Sequence, residues 1–370
     1  MESYTSERKV LHVIATMGRG GTELTALRLA RKMLTAHSVH CVFVALRDGD
    51  LSLKTEFELL SDASPKSLHA DRRKLTSFTR LFVIIRSQRP SVIIFHSFDL
   101  QTALFIFFAR VLGVKRIVTK IGNPAPLRGG RVGTLIFTKL PIALARFAGA
   151  NVVASSRWSL STYQSVLALP ATVIHNGIDI QSIRHRAAAA RVARPVTGKV
   201  IIGMVARLDK IKDHHSLIRA FALVAPGNEV ELRIIGDGPL FSELVELAHQ
   251  LGVEKSVRFL GGRSDIAEQL GEMDLFIFST TKAEGFGIAL IEALAADLPI
   301  IASDVPACRE VLQAGRFGRL IDTTDVALFA SLMKERIASL PTNSTPAVSA
   351  IEEYYSEDGM AQKYIALFQS

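Results

Sequence analysis

Two doubly wound α/β domains are what this sequence predicts, on three observations. The 370 residues exceed what one hydrophobic core organises, so two domains are expected. Short apolar runs rich in β-branched residues alternate with helix-length amphipathic stretches, the pattern of parallel sheets with crossover helices. Glycine turns and polar side chains directly follow those runs, and in open parallel sheets ligands bind outside the carboxyl ends of the strands.

In the first half, strands are expected at KVLHVIA, HCVFVAL, SVIIFH, RIVTKIG, NVVASS and TVIHN. The second half supplies VIIGMVA, EVELRIIG, SVRFLG, LFIFST, PIIASD and a shorter RLID. Between the halves, QSIRHRAAAARVARPVTGK (residues 181–199) loses the strand pattern, is highly charged and sets Pro195 and Gly198 ahead of the next strand. It reads as a linker. Past Asp325 the strands stop, and LFASLMKERIASL leads through PTNSTPAVS to a final helical stretch from about Ile351 to Phe368. The expected domains are therefore 1–180 and 200–350, with 351–370 returning to the first, and a ligand in the cleft where the two face each other.

Composition narrows the function. A hydrophobic fraction of 48% with 21% charged residues describes filled cores, not a disordered or fibrous chain. A formal charge of +9 favours nucleic acid, anionic lipid or phosphorylated substrates without choosing among them. Cys41 and Cys308 lie far apart without metal-ligand spacing, so neither a disulfide framework nor zinc is expected. The start MESYTSERKV lacks the form of a secretory signal, and LFIFFARVLGV and TLIFTKLPIALARF are interrupted by Arg110 and Lys139. A cytoplasmic protein follows, with peripheral contact at the cytoplasmic face of an inner membrane left open.

Candidate site residues sit at strand ends. After the first strand, Gly18, Gly20 and Gly21 precede a helix whose N-terminal N–H groups favour anions. Glu23 occupies the place of a dinucleotide fingerprint's third glycine, and a plain turn stays as open as a ligand role. His96 ends SVIIF with Ser97 and Asp99 beside it, a position that turns a polar group toward the cleft. In MVARLDKIKDHH, Arg207 and Lys212 offer a guanidinium fork and a mobile ammonium to a diphosphate. IIGDGPL, with Gly236, is a turn that allows close backbone approach, and Leu260 with Gly261 and Gly262 leaves backbone groups free to meet a nucleobase.

The segment AEGFGIALIEALAADLP carries two acids eight residues apart, Glu284 and Glu292. On one helix they would stand about 80° apart and two turns along, so they cannot grip one atom. Between them the N–H groups of Phe286, Gly287 and Ile288, after Gly285, open a helix and favour phosphate. Carboxylates flanking a phosphate site must accept hydrogen bonds from hydroxyls, and hydroxyls on both sides of a diphosphate describe a nucleotide sugar. Two surface glutamates near a helix start are the plainer alternative.

Taken together, GGTE at residues 20–23, His96, NGID at 176–179, ARLDKIKD, GDGP, FLG, and E-x7-E followed by PIIASD resemble the retaining glycosyltransferases of family 4 over nearly the whole chain. The resemblance implies the GT-B fold, two Rossmann-like domains, and transfer from a nucleotide sugar, UDP-linked by preference, with neither cofactor nor metal. It implies that Glu292 binds the ribose and Glu284 the transferred sugar. Arg207 and Lys212 would hold the diphosphate, and Gly20 and Gly21 would lie near donor phosphates or acceptor, with His96 near the reacting carbon. Two departures stand out: Asp213 replaces the glycine often found after the second basic residue, and Asp48-Gly49-Asp50 mimics a metal motif of another glycosyltransferase fold but reads as a turn.

Basic and apolar residues interleave in residues 70–90 and 126–148. These suit either helices packed on the sheet or contact with anionic lipid near a glycan or lipid-linked acceptor, as in cell-envelope polysaccharide or lipopolysaccharide synthesis. A sugar-nucleotide epimerase on the same fold is the alternative enzyme. A basic protein binding nucleic acid or membrane is the non-enzyme alternative, and for nucleic acid the basic runs lack interleaved stacking aromatics.

Overall fold

The computed structural model describes residues 9–70, 74–125, 133–164, 171–196, 198–340 and 348–368. Parts of MESYTSERKV, of both basic-apolar stretches and of PTNSTPAVS lie outside those residues. The chain divides into two compact units, Met1–Ile178 with Tyr355–Ser370, and Asp179–Tyr354.

The first unit runs β1 (Lys9–Ile14), α1 (Gly21–His37), β2 (His40–Ala45), α2 (Lys54–Leu59), β3 (Lys66–Ser67), α3 (Lys74–Gln88), β4 (Val92–Phe95), α4 (Leu100–Val111) and β5 (Arg116–Ile121). A π-helical turn (Leu135–Lys139), α5 (Leu140–Phe147), β6 (Asn151–Ala154), α6 (Arg157–Ser161) and β7 (Ala171–Val173) follow. The seven strands are parallel in the order β3-β2-β1-β4-β5-β6-β7. Both faces are covered, so the strands read as continuous apolar runs. Ala26, Ala30 and Met33 of α1 fill one face, and Leu81, Ile84, Phe105, Ile106 and Ala145 of α3, α4 and α5 fill the other. The two-residue β3 was not among the expected strands, because SPKSLHA has no apolar run.

The second unit opens with α7 (Ile180–Ala193), where the sequence was read as a linker. Strand patterning disappears there because the alanine run is helical, not because it is extended, and alanine is the best helix former. Asp179 caps α7 by accepting from Ser182 N–H at 2.9 Å. A side chain on Gly271, at the end of α10 (Ile266–Gly271), would collide with the Ala187 carbonyl, so small residues let the two helices close up. Arg194 then forks onto Asp274 with two 2.9 Å hydrogen bonds.

The remaining elements are β8 (Val200–Val205), α8 (His214–Val224), β9 (Val230–Ile235), α9 (Phe241–Gln250), β10 (Val257–Phe259), β11 (Leu275–Phe278), α11 (Ile288–Ala295), β12 (Ile300–Ser303), α12 (Pro306–Val311), β13 (Arg319–Ile321), α13 (Val326–Ala338) and α14 (Val348–Tyr355). Their parallel sheet has the order β10-β9-β8-β11-β12-β13. Leu217, Phe221, Leu244, Phe329 and Met333 pack one face of it.

The chain then re-enters the first unit through α15 (Glu357–Ala366), which packs on α1. The single final helix expected from sequence is two, broken at Ser356, whose Oγ accepts from Gly359 N–H at 3.2 Å. Ile178 N–H donates to Tyr355 O at 2.9 Å, and a side chain on Gly177 would strike the Ser356 carbonyl. Each residue of N-G-I-D thus has a structural duty: Lys120 Nζ donates to Asn176 at 2.6 Å, Gly177 leaves room, Ile178 is buried, and Asp179 caps α7.

Candidate functional site

In the second unit, strand order reverses between β8 and β11, and the loops that follow these strands meet outside their carboxyl ends. Asp213 N–H donates to Ser279 O at 3.0 Å, Thr281 N–H to Ile211 O at 2.9 Å, and Lys212 pairs with Thr280 in an isolated antiparallel bridge. Ser303, at the end of β12, accepts from Thr280 N–H at 2.8 Å. PIIASD therefore contributes the hydroxyl that anchors this junction.

The junction brings Lys212 and Glu284 together as an ion pair, with side chains only 14% and 10% exposed. Lys212 Nζ also stands 4.4 Å from the centroid of the Phe278 ring. Glu284 Oε1 accepts from Gly285 N–H at 3.0 Å and Phe286 N–H at 3.1 Å. Burial alone would raise the Glu284 pKa, but the Lys212 charge and hydrogen bond, with those two N–H donors, hold it below the ordinary carboxylate value. Glu284 is an anion at neutral pH.

Lys212 and Glu284, expected to meet diphosphate and sugar, stand within reach of each other, and two buried charges must be paired. Phe286 N–H was counted among the phosphate donors, yet it is engaged by Glu284. The α11 N-terminus remains: its first N–H groups, beginning with Ile288, have no acceptor within the helix. Gly287 caps it at φ 88° and ψ 61°, a left-handed conformation that favours glycine. Glu292 lies one turn beyond Ile288 on the half-exposed side of an otherwise buried helix.

Arg207, on the β8 loop, is 72% exposed and 3.6 Å from Asp209. Its loop is held from behind by G-D-G-P: Leu208 N–H donates to Asp237 O at 3.0 Å and Leu240 N–H to Leu208 O at 3.1 Å. A side chain on Gly236 would collide with the Ala206 carbonyl, and one on Gly238 with that of Leu208. Gly236 N–H in turn donates to Gly261 O at 2.8 Å, and Gly262 N–H to Asp237 at 2.7 Å. Leu260 N–H donates to Ile234 O at 2.9 Å, so that donor belongs to the sheet. Asp213, the departure from the family pattern, caps α8 by accepting from Ser216 N–H at 3.1 Å, so its carboxylate is occupied by the helix.

The first unit holds the other predicted residues. Gly20 and Gly21 open α1, and Asp50 accepts from Arg19 N–H at 3.2 Å and from Ser52 N–H at 2.8 Å. Asp48 pairs with His69. The DGD motif is thus a loop brace. His96 is buried, and its Nε2 lies 2.9 Å from His12 Nδ1. Burial, with smaller contributions from His12 and Lys120, lowers its pKa well below the usual imidazole value, and burial brings His12 to about 3. Both rings are neutral, and His96 Nδ1 and His12 Nε2 are buried without a hydrogen-bond partner.

Beside them stands Lys120, on β5 and also buried; burial lowers its pKa to about 7 against the opposing pull of Glu23. Sequence reasoning passed over Lys120 as part of a strand. A charged residue inside RIVTKIG was the available signal, since a buried strand rarely carries a lysine without a partner.

The family described as Glycosyl transferases group 1 matches residues 186–345. A putative glycosyltransferase EpsF of Bacillus subtilis is 29% identical over 369 residues, covering 96% of this chain and 93% of the relative. An N-acetylgalactosamine-N,N'-diacetylbacillosaminyl-diphospho-undecaprenol 4-alpha-N-acetylgalactosaminyltransferase of Campylobacter jejuni is 32% identical over 151 residues, 40% of each chain. Among solved structures, Anabaena HepE in complex with UDP and glucose aligns with TM-score 0.82 at 21% identity over 98% of this chain and 99% of that one. Two Rossmann-like parallel sheets of the GT-B type are the fold, as the sequence predicted.

Proposed function

From the premise that the chain carries the group 1 glycosyltransferase domain, we propose that it is a retaining, metal-independent glycosyltransferase that moves a sugar from a UDP-sugar to a glycan or lipid-linked glycan in cell-envelope polysaccharide synthesis. The observation that carries this reading is the Lys212–Glu284 pair set at the β8/β11 reversal beside the glycine-capped N-terminus of α11. The Campylobacter relative is named for a diphospho-undecaprenol-linked acceptor, and HepE was solved with UDP, which supports the acceptor class and the base.

The chemistry follows from where charge develops. Breaking the bond between sugar and diphosphate leaves negative charge on a phosphate oxygen and positive character on the sugar. Lys212, Arg207 and the α11 N–H groups stabilise that oxygen more in the transition state than in the ground state. An arriving diphosphate competes for Lys212 Nζ, and the released Glu284 carboxylate then accepts from sugar hydroxyls. Glu292, one turn along α11, accepts from the ribose. The departing phosphate takes the proton of an acceptor hydroxyl attacking from the same face, so the anomeric configuration is retained. A role for His96 near the reacting carbon rests on the resemblance, and its unpartnered Nδ1 is the atom to which that role would fall.

Thermal-shift and turnover measurements over UDP-, GDP- and ADP-sugars, with and without chelator, test the proposal. UDP-sugars should stabilise the protein and turn over equally in chelator. No stabilisation by any nucleotide sugar, or turnover that vanishes with chelator, would overturn it.

A further inference from the structure

Residues along a strand alternate between the two faces of its sheet. In the first unit His12 shares a face with Val10 and Ile14, Lys120 with Val118, and His96, whose N–H donates to Val13 O at 2.8 Å, with Ile94. Those four apolar residues all belong to the core under α1 and α15, so a polar row crosses an apolar face. Register sets its depth. His12 lies opposite Ile94, two residues short of His96, and so stands one layer further from the carboxyl ends of the strands.

The two histidine rings meet end to end. Nitrogens 2.9 Å apart, centroids 5.2 Å apart and planes within 13° describe nearly coplanar imidazoles joined by an N–H···N hydrogen bond, not two stacked faces. Both rings are neutral, so each holds one proton and the bond uses one of the two. Either His12 Nδ1 donates, which leaves His12 Nε2 a lone pair and puts the His96 proton on Nδ1, or the reverse holds at every nitrogen.

The surroundings of the outer nitrogens decide between these. His12 Nε2 and His96 Nδ1 are both buried without a hydrogen-bond partner, and a buried orphan N–H is rarer in proteins than an under-satisfied acceptor. The Phe43 ring, with its centroid 5.0 Å from that of His12, offers Nε2 no lone pair. His96 Nδ1 lies on the side of its ring away from His12, toward the end of β4, where parallel sheets receive ligands. The N–H therefore belongs on His96 Nδ1, the nitrogen that an arriving ligand can satisfy. Lys120 Nζ does not compete, since it donates to Asn176.

We propose that His12 is a positioning residue that fixes His96 as the Nδ1–H tautomer, so that His96 meets a sugar oxygen as a hydrogen-bond donor and cannot act there as a base. This role rests on the reading of His96 as a group near the transferred sugar. It agrees with a departing phosphate, not an imidazole, taking the acceptor proton. His12 itself touches no substrate.

Long-range proton–nitrogen correlation spectra of the full chain, isotopically labelled at histidine, read both tautomers directly, with the ring signals assigned by their loss in His12→Asn and His96→Asn. A proton on Nδ1 of each ring is expected. A proton on Nε2 of His96 would overturn the inference whatever His96 does in the reaction. In turnover of a UDP-sugar, His12→Leu should lower kcat about tenfold, the size of one hydrogen bond, with UDP affinity and thermal midpoint as in the parent. His12→Asn, whose amide N–H replaces Nδ1–H, should restore most of that loss, and in a His96→Leu background His12→Leu should cost nothing further. An unchanged kcat in His12→Leu, a loss that an equally stable His12→Asn does not restore, or additive losses in the double variant would each overturn the proposal. Full turnover in His96→Leu alone would overturn the reading of His96, and with it the purpose assigned to His12.

Discussion

The two sheets are wound alike, each reversing its strand order between its first and fourth strands, but they treat charge at the strand ends in different ways. At the end of the six-stranded sheet, a cation and an anion are buried against each other and fed by backbone N–H groups. At the end of the seven-stranded sheet, a buried lysine meets an amide, and two histidines meet each other with a nitrogen apiece left over. A paired site keeps its groups charged and ready for exchange with a charged ligand. An unpaired one shifts its pKa values instead.

Removing one member of the pair should break this contrast most severely. Glu284→Ala is expected to lower transfer by about 10²–10³-fold, as for loss of a group that acts on developing charge. Affinity for UDP should hold or rise, because Lys212 is no longer claimed by a carboxylate. Titration calorimetry with UDP alongside turnover checks this, and a matching loss of UDP affinity would mean that Glu284 serves the nucleotide. Because the folded pKa of Glu284 is depressed, its stabilising contribution is present above the ordinary carboxylate value and is lost as pH falls through the lower folded one.

Next in size is Gly236→Ala. The new methyl meets the backbone of Ala206, at φ 139° for residue 236, so the Arg207 loop must shift. A loss of about 1–3 kcal/mol in unfolding free energy with weakened donor binding is expected. Gly20→Ala is the control from the other sheet, since its methyl meets only the far end of the Glu23 side chain. Equal costs by denaturant titration would show that the glycine turns of the two units are equivalent after all.

A smaller effect is expected at Glu292. It is half-buried, and Glu292→Ala should weaken UDP binding by about tenfold, the size of one charge-assisted hydrogen-bonding group. Full UDP affinity in this variant would remove the ribose from its assignment.

Legibility followed the same divide. The second unit's site was readable because its groups lie in short stretches after strands, where glycine, charge and helix start recur within a few residues. What could not be read there was pairing across sequence: Lys212 with Glu284 spans 72 residues, and Thr280 meets the Ser303 hydroxyl through its backbone N–H, a donor that its side chain does not announce. In the first unit, His12, Lys120 and Asn176 come from three separate strands or strand ends. Each looks like a stray polar residue until the sheet sets them side by side. On α5, Ile142 and Ala145 are buried, but helical spacing alone cannot say which of two apolar sides faces the core.

Lys120 gives the last and gentlest test. Its pKa of about 7 in the fold lies below the ordinary 10.5. Below pH 7 the group is charged in both folded and unfolded chains, and the cost of burying that charge is carried in full. Between pH 7 and 10.5 the folded chain has released a proton that the unfolded chain keeps, so stability rises with pH, at most about 1.4 kcal/mol per pH unit for one group. Glu23, raised by its own burial, works in the opposite sense through its own range, and the neutral His12 and His96 rings add no proton release above neutrality. Lys120→Met removes the titrating group, so the urea midpoint, followed from pH 7 to 9, should rise in the parent relative to the variant, the buried thiols of Cys41 and Cys308 acting equally in both. Parallel curves would mean that Lys120 keeps its charge in the fold, and that the seven-stranded sheet, like its counterpart, stabilises its buried cation.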